Sequence, residues 1–169
     1  GADGASVAIG DFGGGDTYTE DGTALFEVSI TDTGAGADTF NASGSILSVT
    51  DDGGEDVYNI DANPDADISI DDHGDYADTY SINGADGASV AIGDFGGGDM
   101  YMEDGSELFE VTIIDMGAGE DQYDVGGSIL SVTDDGGEDV YNIDANPDAD
   151  ISIDDHGDYA DTYSINGAD

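Results

Sequence analysis

Pairs of aspartates recur along this chain at a nearly constant spacing. In each pair the second aspartate follows the first by five or six residues, and a turn containing glycine joins them. Paired carboxylates beside glycines, which let backbone carbonyls turn toward a common point, provide the oxygen ligands that hard divalent cations prefer. The pattern therefore predicts metal sites at Asp11/Asp16, Asp32/Asp38, Asp51/Asp56, Asp72/Asp78, Asp94/Asp99, Asp115/Asp121, Asp134/Asp139 and Asp155/Asp161.

The charge balance of the chain calls for cations from solution. The 169 residues include 42 Asp and Glu but no Lys or Arg, so the formal net charge is −42. No Lys or Arg salt bridge can form within the chain. If the paired aspartates line up on neighbouring strands, ~4.8 Å apart, each contact between bare charges costs roughly 0.9 kcal/mol in water. We therefore expect external cations to bind between the carboxylates.

Calcium is the cation that this ligand set favours. Ca²⁺ accepts about six to eight oxygen ligands in flexible geometry, whereas Mg²⁺ keeps its waters and requires an octahedral site. Zinc prefers nitrogen and sulfur ligands, but the chain has no Cys and only two His, His73 and His156. We expect multiple Ca²⁺ ions to bind and both histidines to be ordinary turn residues.

The composition also excludes several partner classes. Nucleic-acid binding requires basic side chains to neutralise phosphates, and the chain has none. Anionic membranes are disfavoured for the same reason, and no apolar segment approaches the ~20 residues that insert across a bilayer. High net charge and 28 Gly are typical of disordered chains, but 37% of the residues are apolar. The spacing of the apolar residues predicts an ordered fold.

The sequence contains two nearly identical copies of one segment. Residues 84–166 repeat residues 1–83 with 13 differences, all between Thr17/Met100 and Ser43/Gly126, and residues 167–169 begin a third copy. Self-similarity at a fixed period is the signature of repeat architectures. We predict two four-coil repeats, 1–83 and 84–166, within one continuous solenoid. The near identity indicates recent duplication or deliberate construction.

A shorter period divides each copy into four units of 18 to 22 residues. In the unit that starts at Asp56, residues 57–60 and 68–70 alternate between apolar and polar types, as half-buried strands do. Two such strands cannot bury a face alone, but stacked coils pair their backbones and bury one continuous core. The sequence therefore predicts an all-β, right-handed parallel β-solenoid (β-roll or β-helix) of about eight coils.

The inward-facing residues of stacked coils should form two ladders. The aromatic ladder comprises Tyr18, Phe40, Tyr58, Tyr80, Tyr101, Tyr123, Tyr141 and Tyr163. The aliphatic ladder comprises Ile30, Val49, Ile70, Ile92, Ile113, Val132 and Ile153. Because the two ladders alternate along the chain, they indicate core packing and not a sugar-binding platform.

The glycine–aspartate turns resemble the calcium-binding nonapeptide of the RTX (haemolysin-type) family, G-G-x-G-x-D-x-U-x. Segments 34–40, 53–58 and 117–123 carry the resemblance. It implies a parallel β-roll that folds on binding calcium outside the cell, with the second aspartate of each pair as the motif aspartate. Here only one end of each coil carries the motif, and Tyr76 and Tyr159 stand where the motif has glycine.

The many equivalent carboxylate pairs indicate a structural role. A glycosidase uses one acid–base pair in an asymmetric cleft, and no nucleophile or cofactor-binding loop is recognisable, so we predict that the chain is not an enzyme. We expect a calcium-stabilised segment of a secreted or cell-surface filament, matrix fibre or stiff extension. Its partners would be further repeats of the same chain or copies of itself stacked end to end.

Two other functions are compatible with the same pattern. Copy-to-copy differences are confined to residues 17–43 and 100–126, so this variable face could bind a surface or glycan in a calcium-dependent adhesin arm. The acidic turns would also suit a calcium buffer or a mineral-nucleating surface.

Overall fold

The computed structural model describes residues 5–21, 26–44, 46–104, 108–127 and 129–167. Within these ranges the chain forms sixteen β-strands and no helix. The strands are β1 Ser6–Asp11, β2 Thr17–Glu20, β3 Glu27–Asp32, β4 Thr39–Ala42, β5 Ile46–Asp51, β6 Val57–Ala62, β7 Asp67–Asp72, β8 Thr79–Gly84, β9 Ser89–Asp94, β10 Met100–Glu103, β11 Glu110–Asp115, β12 Gln122–Val125, β13 Ile129–Asp134, β14 Val140–Ala145, β15 Asp150–Asp155 and β16 Thr162–Gly167.

The strands form two parallel sheets of eight strands each. The odd-numbered strands make the first sheet, in the order β1-β3-β5-β7-β9-β11-β13-β15, and the even-numbered strands make the second sheet in the same progression. Each coil contributes one strand to each sheet, so consecutive coils stack along a single axis. This arrangement confirms the predicted all-β parallel solenoid. No helix of the described residues has the length and hydropathy needed to cross a membrane.

The core lies between the sheets and contains both predicted ladders. In the second sheet the eight aromatic rings stack with centroids 4.7–4.9 Å apart. In the first sheet, strand pairing aligns Ile70 with Ile92 and then with Ile113. Because the coils share one spacing of apolar residues, an unshifted register brings identical positions together. Both ladders are therefore confirmed.

Strand pairing continues without interruption across the boundary between the two sequence copies. Strand β7 of the first copy pairs with β9 of the second, and β8 pairs with β10. We call this contact the internal junction. In the third copy, Gly167 ends strand β16, and residues 168–169 lie outside the described residues.

Candidate metal centres

All sixteen predicted ligands lie along one edge of the solenoid, in two sets. The strand-end aspartates are the last residues of the odd-numbered strands: Asp11, Asp32, Asp51, Asp72, Asp94, Asp115, Asp134 and Asp155. The turn aspartates immediately precede the even-numbered strands: Asp16, Asp38, Asp56, Asp78, Asp99, Asp121, Asp139 and Asp161. The twelve in the interior coils are at most 2% exposed. Burying carboxylates at such density is unfavourable unless each charge is compensated.

Most of the strand-end aspartates accept two kinds of hydrogen bond. Oδ1 of Asp94 accepts the backbone N–H of Gly96 at 3.1 Å, and the other strand-end aspartates from Asp32 to Asp155 accept the equivalent N–H two residues on. Oδ2 accepts a ladder tyrosine of the preceding coil, as in Tyr80 Oη to Asp94 at 2.6 Å. The same contact joins Tyr18 to Asp32, Tyr58 to Asp72, Tyr101 to Asp115 and Tyr123 to Asp134.

Phe40 interrupts this pattern in the first copy. Phe40 occupies the position of Tyr123 in the other copy and has no hydroxyl group. The carboxylate that such a hydroxyl would reach belongs to Asp51, and its buried Oδ2 has no hydrogen-bond partner. The equivalent oxygen of Asp134 accepts two hydroxyls, from Tyr123 at 2.8 Å and from Tyr141 at 3.0 Å.

The turn aspartates are linked to one another from coil to coil. Oδ1 of Asp99 accepts the backbone N–H of Asp78 at 2.7 Å, and Oδ1 of Asp121 accepts the N–H of Asp99 at 2.6 Å. The series runs from Asp16 to Asp161. Their second oxygens are different: Oδ2 is buried without a hydrogen-bond partner in Asp38, Asp56, Asp78, Asp99, Asp121 and Asp139. These oxygens lack the donors that a buried anion normally has.

The structure assembles these carboxylates into clusters of three. Asp78, Asp94 and Asp99 offer oxygens that all lie within 4.8 Å of one another. The clusters Asp38/Asp51/Asp56, Asp56/Asp72/Asp78 and Asp99/Asp115/Asp121 have the same composition. Each combines the predicted pair of one turn with the turn aspartate of the preceding coil, so Asp78 belongs to two successive clusters. We call these clusters the aspartate trios. The sequence predicted the pair but not the third ligand.

At the amino-terminal end the cluster has a different composition. It contains Asp11 and Asp16 of the first turn together with Asp32, the strand-end aspartate of the next coil. No described coil precedes this turn, so no earlier turn aspartate can contribute a carboxylate.

Burial and neighbouring negative charges strongly raise the pKa of several aspartates in the trios. Burial, reinforced by the charges of neighbouring aspartates, raises the pKa of Asp78 to about 8 and that of Asp99 to about 9. The same causes raise the pKa of Asp94 to about 7 and that of Asp121 to about 8. Hydrogen bonds from backbone N–H groups and tyrosine hydroxyls oppose these shifts but are weaker. Near neutral pH these carboxylates therefore require either protons or a cation.

The donor set of a trio fits a divalent cation. The three carboxylates supply only oxygen ligands. Some of these oxygens are buried without a hydrogen-bond partner, and the chain has no Lys or Arg that could neutralise them. The turns also stack too closely for side chains: a Cβ on Gly119 would overlap the carbonyl oxygen of Gly97. Glycine at these positions therefore brings the backbone and carboxylates of neighbouring coils close together.

The two histidines lie outside these trios. His73 is half exposed, with Nδ1 3.4 Å from Asp52 and Nε2 3.3 Å from Asp71. His156 makes the corresponding contacts with Asp135 and Asp154. Both contacts are with surface carboxylates, as expected for turn residues.

Two buried glutamates were not singled out from the sequence. Glu103 is 4% exposed, and its Oε2 accepts the N–H groups of Gly126 and Gly127 at 2.9 and 3.0 Å. Glu20 accepts the equivalent N–H groups in the first copy. The sequence contains a signal for them. Two positions after the ladder aromatic these coils have an acidic residue, whereas the neighbouring coils have Ile82 or Val125. These carboxylates tie one coil to the turn of the next.

Comparison with protein-family models, curated proteins and solved structures finds no match to this chain.

Proposed function

We propose that this chain is a calcium-stabilised structural segment of an extracellular filament, matrix fibre or stiff extension. The observation that carries the proposal is the aspartate trio, with its buried, partnerless carboxylate oxygen. In the interior coils Ca²⁺ would be held by the two aspartates of one turn and the turn aspartate of the coil before. Each ion would thus connect two consecutive coils and neutralise charge that otherwise opposes the fold.

Calcium suits the trios better than other common cations. The ligands are all oxygen, and the glycine turns leave backbone carbonyls available to raise the coordination number. The resemblance of these turns to the RTX nonapeptide supports the same ion and an extracellular location. Calcium is present there at about millimolar concentration, which suffices for weak sites of extracellular modules.

A mechanical role fits the repetition of the trios. Equivalent carboxylates recur in successive coils, and the described residues show none of the asymmetry that would set one pair apart as an acid and a base. Both sheets and the aromatic ladder extend along the whole described solenoid. Such an element resists bending because every coil is bonded to its neighbours along the axis.

Circular dichroism during calcium titration tests the proposal. In excess EDTA at pH 8 we expect a coil-like spectrum, and on adding calcium a cooperative gain of β-sheet signal. Magnesium at the same concentration should produce a smaller change. A β-sheet spectrum that chelation leaves unchanged at pH 8 would contradict the proposal.

A pair of variants in one turn sharpens this test. Asp78→Asn alters a buried ligand shared by two trios, so we expect the calcium midpoint to rise at least several-fold. Asp75→Asn removes the same charge from an exposed residue three positions earlier and should leave the midpoint nearly unchanged. Equal shifts in the two variants would indicate general charge screening and not specific sites.

An adhesin arm is the second candidate, favoured by exposed apolar residues found only in the second copy. Ile114 and Met116 are 44% and 45% exposed, and they replace Thr31 and Thr33 of the first copy. Reverting them with Ile114→Thr and Met116→Thr should weaken binding to a glycan array or abiotic surface without changing the calcium midpoint. If the wild-type chain binds neither surface, this alternative is wrong.

A further inference from the structure

The two ends of the described solenoid expose core residues and unpaired strand edges. At the amino-terminal end, β1 and β2 pair only with β3 and β4; at the opposite end, β15 and β16 pair only with β13 and β14. Val7 and Ile9 are 41% and 39% exposed at the first end, and Tyr163 and Ile165 are 48% and 68% exposed at the other. Exposed parallel edges of this kind are templates for pairing with another chain.

The internal junction shows what covers these same residues. Tyr80 and Ile82, the equivalents of Tyr163 and Ile165, are 0% and 1% exposed there. Val90, the equivalent of Val7, is 1% exposed. The strands that meet at the internal junction are repeated at the two ends: β15 and β16 have the sequences of β7 and β8, and β1 that of β9. Strand β2 differs from β10 only at its outward-facing threonines.

We propose that a second copy of this chain covers each end, stacked head to tail in the register of the internal junction. In that register the Thr17 N–H of one copy donates to the Asp161 carbonyl of the other, as Met100 does to Asp78. The Ser6 N–H donates to the Ala149 carbonyl, as Ser89 does to Ala66. This inference depends on the proposed function in one respect only, which is that the cation shared across the contact is calcium.

The contact also completes a metal centre that one copy cannot build alone. Asp161 of one copy and Asp11 and Asp16 of the next correspond to the internal trio Asp78, Asp94 and Asp99. Asp161, Asp11 and Asp16 are half-buried in the single chain, whereas their internal counterparts are buried. In the single chain, Tyr163 Oη donates a hydrogen bond to Asp155 of its own coil at 2.8 Å, whereas Tyr80 Oη donates to Asp94 of the next coil. In the stack Tyr163 would donate to Asp11 of the other copy.

Two consequences follow from the geometry of the contact. It joins different surfaces of the two copies, so it does not close on itself and generates an open fibre. Because each chain carries a formal charge of −42, stacking without shared cations is opposed by repulsion. The fibre should therefore grow only with calcium and lengthen by roughly 40 Å per chain, from about 4.8 Å per coil.

Light scattering with size-exclusion chromatography and electron microscopy tests the proposal on the 169-residue chain. In calcium we expect masses that increase with concentration and fibres one solenoid wide; in EDTA we expect monomers. Thr17→Pro removes the end-facing N–H at an edge strand, where proline is tolerated, and should reduce assembly more than tenfold. Thr17→Val keeps that N–H and should assemble like the wild type.

The shared metal centre has its own variant. Asp161→Asn should raise the calcium concentration needed for assembly several-fold, and by a larger factor than it raises the calcium midpoint of folding measured by circular dichroism, because Asp161 also contributes to the last pair of its own chain, Asp155/Asp161. Chains that fold with calcium but remain monomeric at every concentration would overturn the stacking and leave the proposed function intact. Fibres formed equally well by Thr17→Pro would overturn the register, and fibres whose calcium dependence ignores Asp161→Asn would overturn the shared centre.

Discussion

At the scale of single residues, the ladder tyrosines connect the core to the acidic edge. The rings stack within the core, while most of the hydroxyls donate to a strand-end aspartate of the following coil, as from Tyr80 to Asp94. Tyr141 and Tyr163 donate to the strand-end aspartate of their own coil. The Tyr80 hydroxyl stabilises the carboxylate in a region where burial raises the pKa of Asp94 to about 7. A hydroxyl bonded to Oδ2 restricts the orientation of that carboxylate, which would preorganise the trio for the proposed cation.

A pair of substitutions measures the contribution of the tyrosine hydroxyl. Tyr80→Phe removes the donor to Asp94, so we expect a loss of ~1–3 kcal/mol in the free energy of unfolding because a buried oxygen loses its partner. Phe40→Tyr supplies the missing donor to Asp51, whose Oδ2 is partnerless, and should gain ~1 kcal/mol. Urea unfolding in calcium measures both. No change in either variant would show that the hydroxyls do not stabilise the fold.

At the scale of elements, the turns between the two sheets determine how closely successive coils approach. The strands pair at a uniform spacing, but the turns carry the carboxylates and must stack without side chains between them. Gly119 faces the carbonyl oxygen of Gly97, and Gly36 faces that of Gly14. Replacing these glycines would separate the turn aspartates of neighbouring coils, whose N–H to Oδ1 bonds are 2.5–3.1 Å long.

The glycine contacts predict a position-specific effect of alanine. Gly119→Ala places a methyl group against the Gly97 carbonyl, and we expect it to cost about 1–3 kcal/mol of stability and to weaken calcium binding. Gly10→Ala meets no atom within 4 Å and should be nearly neutral. Thermal unfolding and calcium titration of the two variants provide the comparison. Equal effects would mean that the turns can separate freely.

At the scale of the whole molecule, the fold concentrates negative charge along one edge, so its stability depends on the protons or cations that compensate this charge. The trios run along one edge of the solenoid, and burial raises the pKa of several members, to about 8 for Asp78 and Asp121 and about 9 for Asp99. An unfolded aspartate titrates near 4. At pH values between the pKa of an unfolded aspartate and the raised pKa values of the folded chain, the metal-free folded state therefore binds more protons than the unfolded state.

This difference predicts an inverted pH dependence for the metal-free protein. Because the folded state holds the extra protons, its stability is greatest near pH 4–5 and falls as pH rises through the raised pKa values, from about 6 at Asp139 to about 9 at Asp99. In EDTA the unfolding temperature should decrease as the pH rises from 5, until the chain is unfolded at pH 8, and calcium should restore the folded state at pH 8. An unfolding temperature that increases over this range in EDTA would contradict the prediction.

Much of the architecture was predictable because the chain repeats itself. Identical residues at a fixed period can be buried together only if coils stack in register, so the all-β solenoid, the two ladders and the acidic edge follow from spacing alone. Asp94 and Asp99 were recognisable as ligands because the same pair recurs in every coil. Glu103 was not recognised, since only one other coil, at Glu20, has an acidic residue at that position.

Composition and spacing along the chain establish which residues recur and which of them must be buried. How the recurring groups combine across coils depends on the folded chain. There Asp78 joins Asp94 and Asp99 of the next turn, and its second carboxylate oxygen has no hydrogen-bond donor. Spacing along the chain reports only which side chains share a turn. The backbone pairing of stacked coils determines which atoms of neighbouring turns meet.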